Sequence, residues 1–218
     1  MQRNDNLYRA FAVAGLVIGV IALTIGFAAF NQSLTISSSA EVDVADTPLD
    51  IAFSTSQSSQ VNGSVTPTAS GNTGASGSNA TIANTTISGL HAIFTKPGQT
   101  VTYSFYVRND SAYTAYLNTV DFANAANASA FKVCSAGSDS TQSYVDNACN
   151  GISITVTTGT YSTSDSVTTG GTGHSLAATT GETVTVEITY ADGSATADGD
   201  FDVSFGDITL GYSTIQET

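Results

Sequence analysis

The hydrophobic positions of this chain fall mainly on a period of two. From Leu34 to Val44 the alternation is strict, with Leu34, Ile36, Ser38, Ala40, Val42 and Val44 on one parity and Thr35, Ser37, Ser39, Glu41 and Asp43 on the other. Successive side chains of a strand point to opposite faces, so this pattern predicts a β-strand with one apolar and one wet face. The alternation returns at Val101, Tyr103, Phe105 and Val107, at Ile152, Ile154 and Val156, and at Val184, Val186, Ile188 and Tyr190. Apolar runs at Leu49–Phe53, Leu90–Phe94 and Tyr113–Phe122 predict further strands, and Lys96-Pro97-Gly98-Gln99 supplies a turn between two of them. Phe201, Val203 and Phe205 share one parity, whereas Ile208, Leu210 and Tyr212 share the other. That switch predicts a β-bulge or bend at Gly206-Asp207. Beyond the N-terminus only Asp121–Phe131 reads as a short helix. Many short strands separated by Gly-rich turns predict an all-β fold, an antiparallel two-sheet sandwich of jelly-roll-like type.

One run departs from this period. Ala10 to Phe30 is 21 residues long, uncharged, with Thr24 as its one polar side chain. A helix of that length spans about 30 Å of hydrocarbon. Arg3 and Arg9 precede it and only Lys96, Arg108 and Lys132 follow, so the positive-inside rule exports everything after Phe30. The run ends in two small-x-small triplets, Thr24-Ile25-Gly26 and Phe27-Ala28-Ala29, and cleavage is favoured over retention. The expected organisation is a signal peptide or membrane anchor at 1–29, an N-terminal strand and linker at 30–48, and a β-sandwich domain at 49–218. Within that domain, residues 55–88 and Thr157–Gly173 are rich in Ser, Thr and Gly and poor in apolar side chains. Each is expected to be a long surface loop without a core of its own.

Composition narrows the chemistry. Ser and Thr number 61 of 218 residues, charged residues are 11%, and the net charge is −13. Binding to nucleic acid needs a basic face, so no nucleic-acid partner is expected. There are two histidines and two cysteines. His91 is followed by Ala-Ile-Phe-Thr rather than a zinc-protease pattern, and His174 stands alone in a Gly/Ser stretch. No nucleophile elbow, phosphate loop or dinucleotide fingerprint occurs. The expectation is therefore no catalytic constellation, no cofactor and no metal centre.

Cys134 and Cys149 are the only thiols, on a segment predicted to be exported, and are expected to form a disulfide. Asn-x-Ser/Thr sequons at Asn31, Asn62, Asn79, Asn84, Asn109 and Asn127 are candidate glycan acceptors. Chance alone predicts about four in a chain this rich in Ser and Thr. Asp198-x-Asp200-x-Asp202 echoes the start of a calcium loop, but Val203 stands where Gly is needed and no Glu follows at the twelfth position. Asp200 and Asp202 alternate with Phe201 and Val203, which favours a solvated strand face.

The juncture GFAAFN at Gly26–Asn31, the strand SLTISSSAEV that follows, the Lys-Pro-Gly turn and the pattern PGQTVTYSFYVRND with Ala115-Tyr116-Leu117 resemble the TasA/camelysin family of secreted microbial fibre proteins. The resemblance implies a jelly-roll subunit that polymerises head to tail by donating its N-terminal strand to the next copy. Physical chemistry supports such donation independently. The strand is tethered to an apolar segment on one side and to Ala45-Asp46-Thr47-Pro48 on the other. Burying Leu34, Ile36, Val42 and Val44 in a neighbour, with Ala40 on the same face, would contribute about 6 to 12 kcal/mol before ordering entropy. The resulting expectation is a secreted or cell-surface structural protein whose partner is itself, meeting the membrane during export or as an anchor. Its rivals are a membrane-anchored monomeric adhesin and a camelysin-type peptidase, the latter without its zinc motif here.

Overall fold

A computed structural model describes residues 49–123, 131–164, 168–169 and 172–217 of the chain. The expected N-terminal helix, the donor face Leu34, Ile36, Ala40, Val42 and Val44, and the sequons at Asn31 and Asn127 lie outside the described residues. The described part is all-β and antiparallel, with one short helix.

Its organising strand is β7 (Gln99–Asn109), where Val101, Tyr103, Phe105 and Val107 are buried and their alternates face outward. On one side β7 pairs along ten residues with β14 (Gly181–Tyr190), which pairs in turn with β10 (Ile152–Thr158) and then β11 (Tyr161–Ser164). On the other side β3 (Thr68–Gly71) pairs with 99–102 and β1 (Ile51–Ser54) with 106–109. These six strands form the first sheet. A second sheet runs from β8 (Ala115–Phe122) through β16 (Ile208–Ser213), β5 (Thr86–Ser88) and β4 (Ala80–Ala83) to β2 (Gly63–Val65), with β12 (Thr168–Thr169) and β13 (Ser175–Leu176) on the far side of β8. Their inner faces share one apolar core, so the arrangement is consistent with a sandwich.

The sequence predicts two sheets, and the structure has a third. It consists of β6 (His91–Phe94), β15 (Phe201–Phe205) and β9 (Lys132–Ala136). Phe94, Tyr190 and Phe201 meet with ring centroids 5.4 to 6.1 Å apart and join this small sheet to the first. Phe131 stands edge-on to both Phe122 and Phe205 and joins it to the second. The parity switch at Gly206-Asp207 is thus a corner rather than a bulge, because the chain leaves the third sheet and enters the second there. Gly206 N–H donates to Phe131 O at 2.8 Å and Asp207 O accepts from Ala123 N–H at 2.8 Å. The bulge lies elsewhere: Tyr212 faces Leu117 and Gly211 faces Thr119, so Asn118 is the extra residue. Asn118 Nδ2 donates to Ser213 Oγ and Ile215 O, and its Oδ1 accepts from Glu217 N–H, which fixes the C-terminal stretch.

The expected loop at 55–88 is corrected by four strands, β2 to β5. Each is three or four residues long, and β2, β4 and β5 hang on very few apolar anchors, Val65, Ala80 with Ile82, and Ile87, all buried. β3 has no buried side chain and is held through its backbone. Thr has a strand preference, so hydroxyl-rich sequence suffices where a neighbouring strand supplies the hydrogen bonds. The second expected loop, Thr157–Gly173, likewise contains the end of β10 and the hairpin to β11, turned at Gly159 with φ 53°. Asp121 and Phe122 belong to β8, not to a helix. Residues 124–130 of the expected helix lie outside the described residues, and Phe131 at its end is helical. A helix not expected from the sequence is α1 (Gln142–Cys149), whose inner face is Val145 and Ala148.

The predicted turn at Lys96–Gly98 is present, and Gly98 has φ 83°. A side chain there would also strike Asp192. Gln99 is fully buried just after it; its Oε1 accepts from Thr95 and Lys96 N–H at 2.8 and 3.1 Å, and its Nε2 donates to Asn72 O and Thr73 O.

Because Phe201 is fully buried against Phe94 and Tyr190, Phe201→Ala is expected to destabilise the fold by about 3 to 5 kcal/mol. Denaturant unfolding measures it; a loss below about 1 kcal/mol would mean the third sheet is not part of the core.

Candidate functional site

Cys134 on β9 and Cys149 at the end of α1 are bonded, with Cα atoms 6.1 Å apart. The expected staple therefore ties the helix to the third sheet. Lys132, two residues upstream on β9, reaches under the same helix end. Its Nζ donates to Cys149 O at 3.0 Å and to Ile152 O at 2.7 Å. A cation at a helix C-terminus satisfies carbonyls that lack partners within the helix and opposes the negative end of its dipole. The other end of α1 is capped from a distance: Thr141 N–H donates to Asp198 Oδ1 at 2.8 Å. That hydrogen bond, with one from the Thr141 hydroxyl, holds the Asp198 carboxyl below its ordinary value.

The acidic stretch thus resolves into separate roles. Asp198 caps α1, Asp202 faces His91 across the β6–β15 ladder, and the backbone carbonyl of Asp200 accepts from Ser140 Oγ at 2.6 Å. Among the described residues no group of three His, Cys, Asp or Glu side chains is placed to hold a metal.

Both histidines acquire partners that the sequence does not reveal. His91 Nε2 lies 2.9 Å from Asp202 Oδ1, and Ser78 Oγ lies 3.4 Å from His91 Nδ1. The order Ser, His, Asp imitates a nucleophile with its base and orienting acid. The hydroxyl, however, is beyond activating reach, and the Asp202 side chain is 42% exposed, so water screens its field at the imidazole. We read the trio as a cross-strand polar link. His174, expected to be isolated, places its Nε2 against Glu182 Oε1, and Thr158 Oγ1 donates to the same carboxylate oxygen at 2.7 Å. Tyr212 faces Thr158 and Glu182 without a hydrogen bond of good geometry, and burial pushes its phenol above the ordinary tyrosine value. These side chains join the ends of β10 and β14 to β16 of the second sheet.

The sequons divide. Asn62, Asn79 and Asn84 are exposed, Asn84 at the β4–β5 turn with φ 49°. Asn109 is corrected as a glycan acceptor. It is fully buried at the end of β7, where its Nδ2 donates to Tyr113 O at 2.8 Å and to Leu176 O and Ala177 O at 3.2 Å. A glycan on that nitrogen would displace those bonds from the core.

One cleft of about 470 Å³ opens beside α1, lined by Tyr144, Asn147, Asn150, Gly151 and the segment Ser194–Thr196. No spacing in the sequence signals it, because its walls are 43 residues apart and carry no charge. Comparison with protein-family models, with curated proteins and with solved structures finds no match.

Reducing the Cys134–Cys149 bond is expected to lower stability by about 3 kcal/mol, since it releases a loop of about 15 residues in the unfolded chain. Thermal unfolding with and without reductant measures this, and an unchanged midpoint would contradict it.

The lowered Asp198 pKa sets a sign for pH dependence. Its contribution is present above the ordinary carboxylate value and is lost as pH falls through the lowered one. Asp198→Asn should therefore lose stability at neutral pH and show a shallower decline below about pH 4. Melting curves across pH test this; parallel curves for the two proteins would refute the capping role.

Proposed function

We propose that this protein is an exported structural subunit of an extracellular filament or pilus, assembled head to tail by donation of the strand at residues 33–44. The observation that carries the reading is the composition of the core. Among the described residues, one continuous apolar cluster extends from Phe53 to Leu210 and draws on all three sheets. The amphipathic strand Leu34–Val44 precedes that cluster in the chain and has an apolar face of its own that must be covered. Donated to another copy, it pairs with a sheet edge there. Such a contact is heterologous, so it propagates rather than closing into a dimer.

Three further features support an extracellular structural role. The disulfide points to an oxidising compartment. The chain repeatedly crosses between sheets, with β4–β5 and β10–β11 as hairpins within a sheet, in the manner of a jelly roll. The outer face of the first sheet consists largely of hydroxyls: Thr100, Thr102 and Ser104 on β7 stand opposite Thr189, Glu187 and Thr185 on β14. Such a face stays hydrated without many ions.

The double variant Ile36→Asp with Val42→Asp is expected to fold as a monomer with an unaltered melting point and to form no filaments. Negative-stain microscopy and unfolding of purified protein read both outcomes. Filaments of normal length from this variant would overturn the proposal.

A further inference from the structure

The cleft beside α1 is lined by one aromatic ring, carboxamides and hydroxyls, and hydrogen bonds and a disulfide brace both of its walls. Tyr144 stands on its lip with 54% of its surface exposed, a large aromatic ring facing water. Asn147 and Asn150 follow from the same helix end, and Ser194 and Thr196 face them from the loop after β14. The Asn147 Nδ2 donates to Ser143 O at 3.0 Å, so its carbonyl oxygen is the group of that amide not engaged in this bond.

Both walls are braced. On the helix side the disulfide holds Cys149 and Lys132 Nζ binds the carbonyls of Cys149 and Ile152. On the loop side Tyr190 OH donates to Ala195 O at 2.5 Å. Ala191 N–H donates to Gly151 O at 2.9 Å and ties the walls together at the floor. Gly151 is required there, since a side chain at that position would collide with Ser194. A site fixed before binding loses little entropy on binding.

The lining decides the chemistry of the occupant. It offers one aromatic face, carboxamides and hydroxyls, and no charged side chain, on a chain of net charge −13. An anion would meet an unfavourable overall field and no cation in the cleft, and a hydrocarbon would leave the amides unpaired. A neutral ligand with apolar C–H faces and many hydroxyls fits both sets of groups. We propose that this cleft binds a neutral saccharide, one or two sugar units stacking on Tyr144 and hydrogen-bonding to Asn147, Asn150, Ser194 and Thr196. Its volume matches a ligand of that size.

The test is saturation-transfer NMR and calorimetry on the full-length purified protein with neutral hexasaccharides, namely cello-, malto-, chito- and mannohexaose. An oligogalacturonate and a neutral hexapeptide serve as comparators. At least one neutral saccharide is expected to bind. Tyr144→Ala should weaken it about tenfold or more, whereas Tyr144→Phe, which keeps the ring, should retain it. Asn150→Ala should weaken it as well, at an unchanged melting point. No binding of any neutral saccharide at millimolar concentration would overturn the proposal. So would binding that is indifferent to Tyr144→Ala, or equal or tighter binding of the acidic oligomer or the peptide.

Discussion

The fold depends on the pairing of β7 with β14, two long strands that each bury every second side chain. Ten consecutive residues of β14 face β7, and the inward positions Val101, Tyr103, Phe105 and Val107 meet Val184, Val186 and Ile188 in the same core. Slipping this pair by one residue would turn those side chains to water and bring Thr and Glu inward. The ends of β7 are locked by two buried carboxamides, Gln99 and Asn109, which satisfy backbone groups of the turns on either side. Register, turn position and core composition are therefore fixed together. The remaining strands are short, and several persist because this pair gives them an edge on which to hydrogen-bond.

A second constraint is the scarcity of charge. With 11% charged residues the chain has few side chains for ion pairs. Among the described residues Arg108 pairs locally with Asp110, His91 meets Asp202 across the β6–β15 ladder, and His174 meets Glu182. Solvation of the outer faces falls to Ser and Thr, which also favour extended backbone. Ser, Thr and Gly thus serve as strand residues here where elsewhere they signal loops. The disulfide and Lys132 hold α1, whose buried face of Val145 and Ala148 is too small to dock it alone.

These constraints explain what could be read in the sequence. The long strands were legible because alternation over seven or more residues has no competing explanation. The cysteine pair was legible because two thiols on a segment predicted to be exported have one common fate. The strands within 55–88 were not, since one or two apolar anchors per three or four residues set no period. The third sheet was hidden for a related reason: β15 and β16 differ in parity, and a corner between sheets leaves the same trace as a bulge. Asn109 satisfies a glycosylation pattern, yet its amide is consumed by the turn it anchors. The partners of His91 and His174 and the two walls of the cleft depend on which strands become neighbours, which local pattern does not encode.

A single physical picture connects these elements. The β domain has one continuous apolar core from Phe53 to Leu210 under hydroxyl-rich outer faces, and we propose that the alternating segment Leu34–Val44 upstream is covered by a neighbouring copy. The most direct measurement is the structure of the native fibre at a resolution that traces the backbone. The account predicts residues 33–44 of each subunit hydrogen-bonded to a sheet of the adjacent one, with Leu34, Ile36, Val42 and Val44 against its apolar interior. Residues 33–44 paired within the sheets of their own subunit would contradict it.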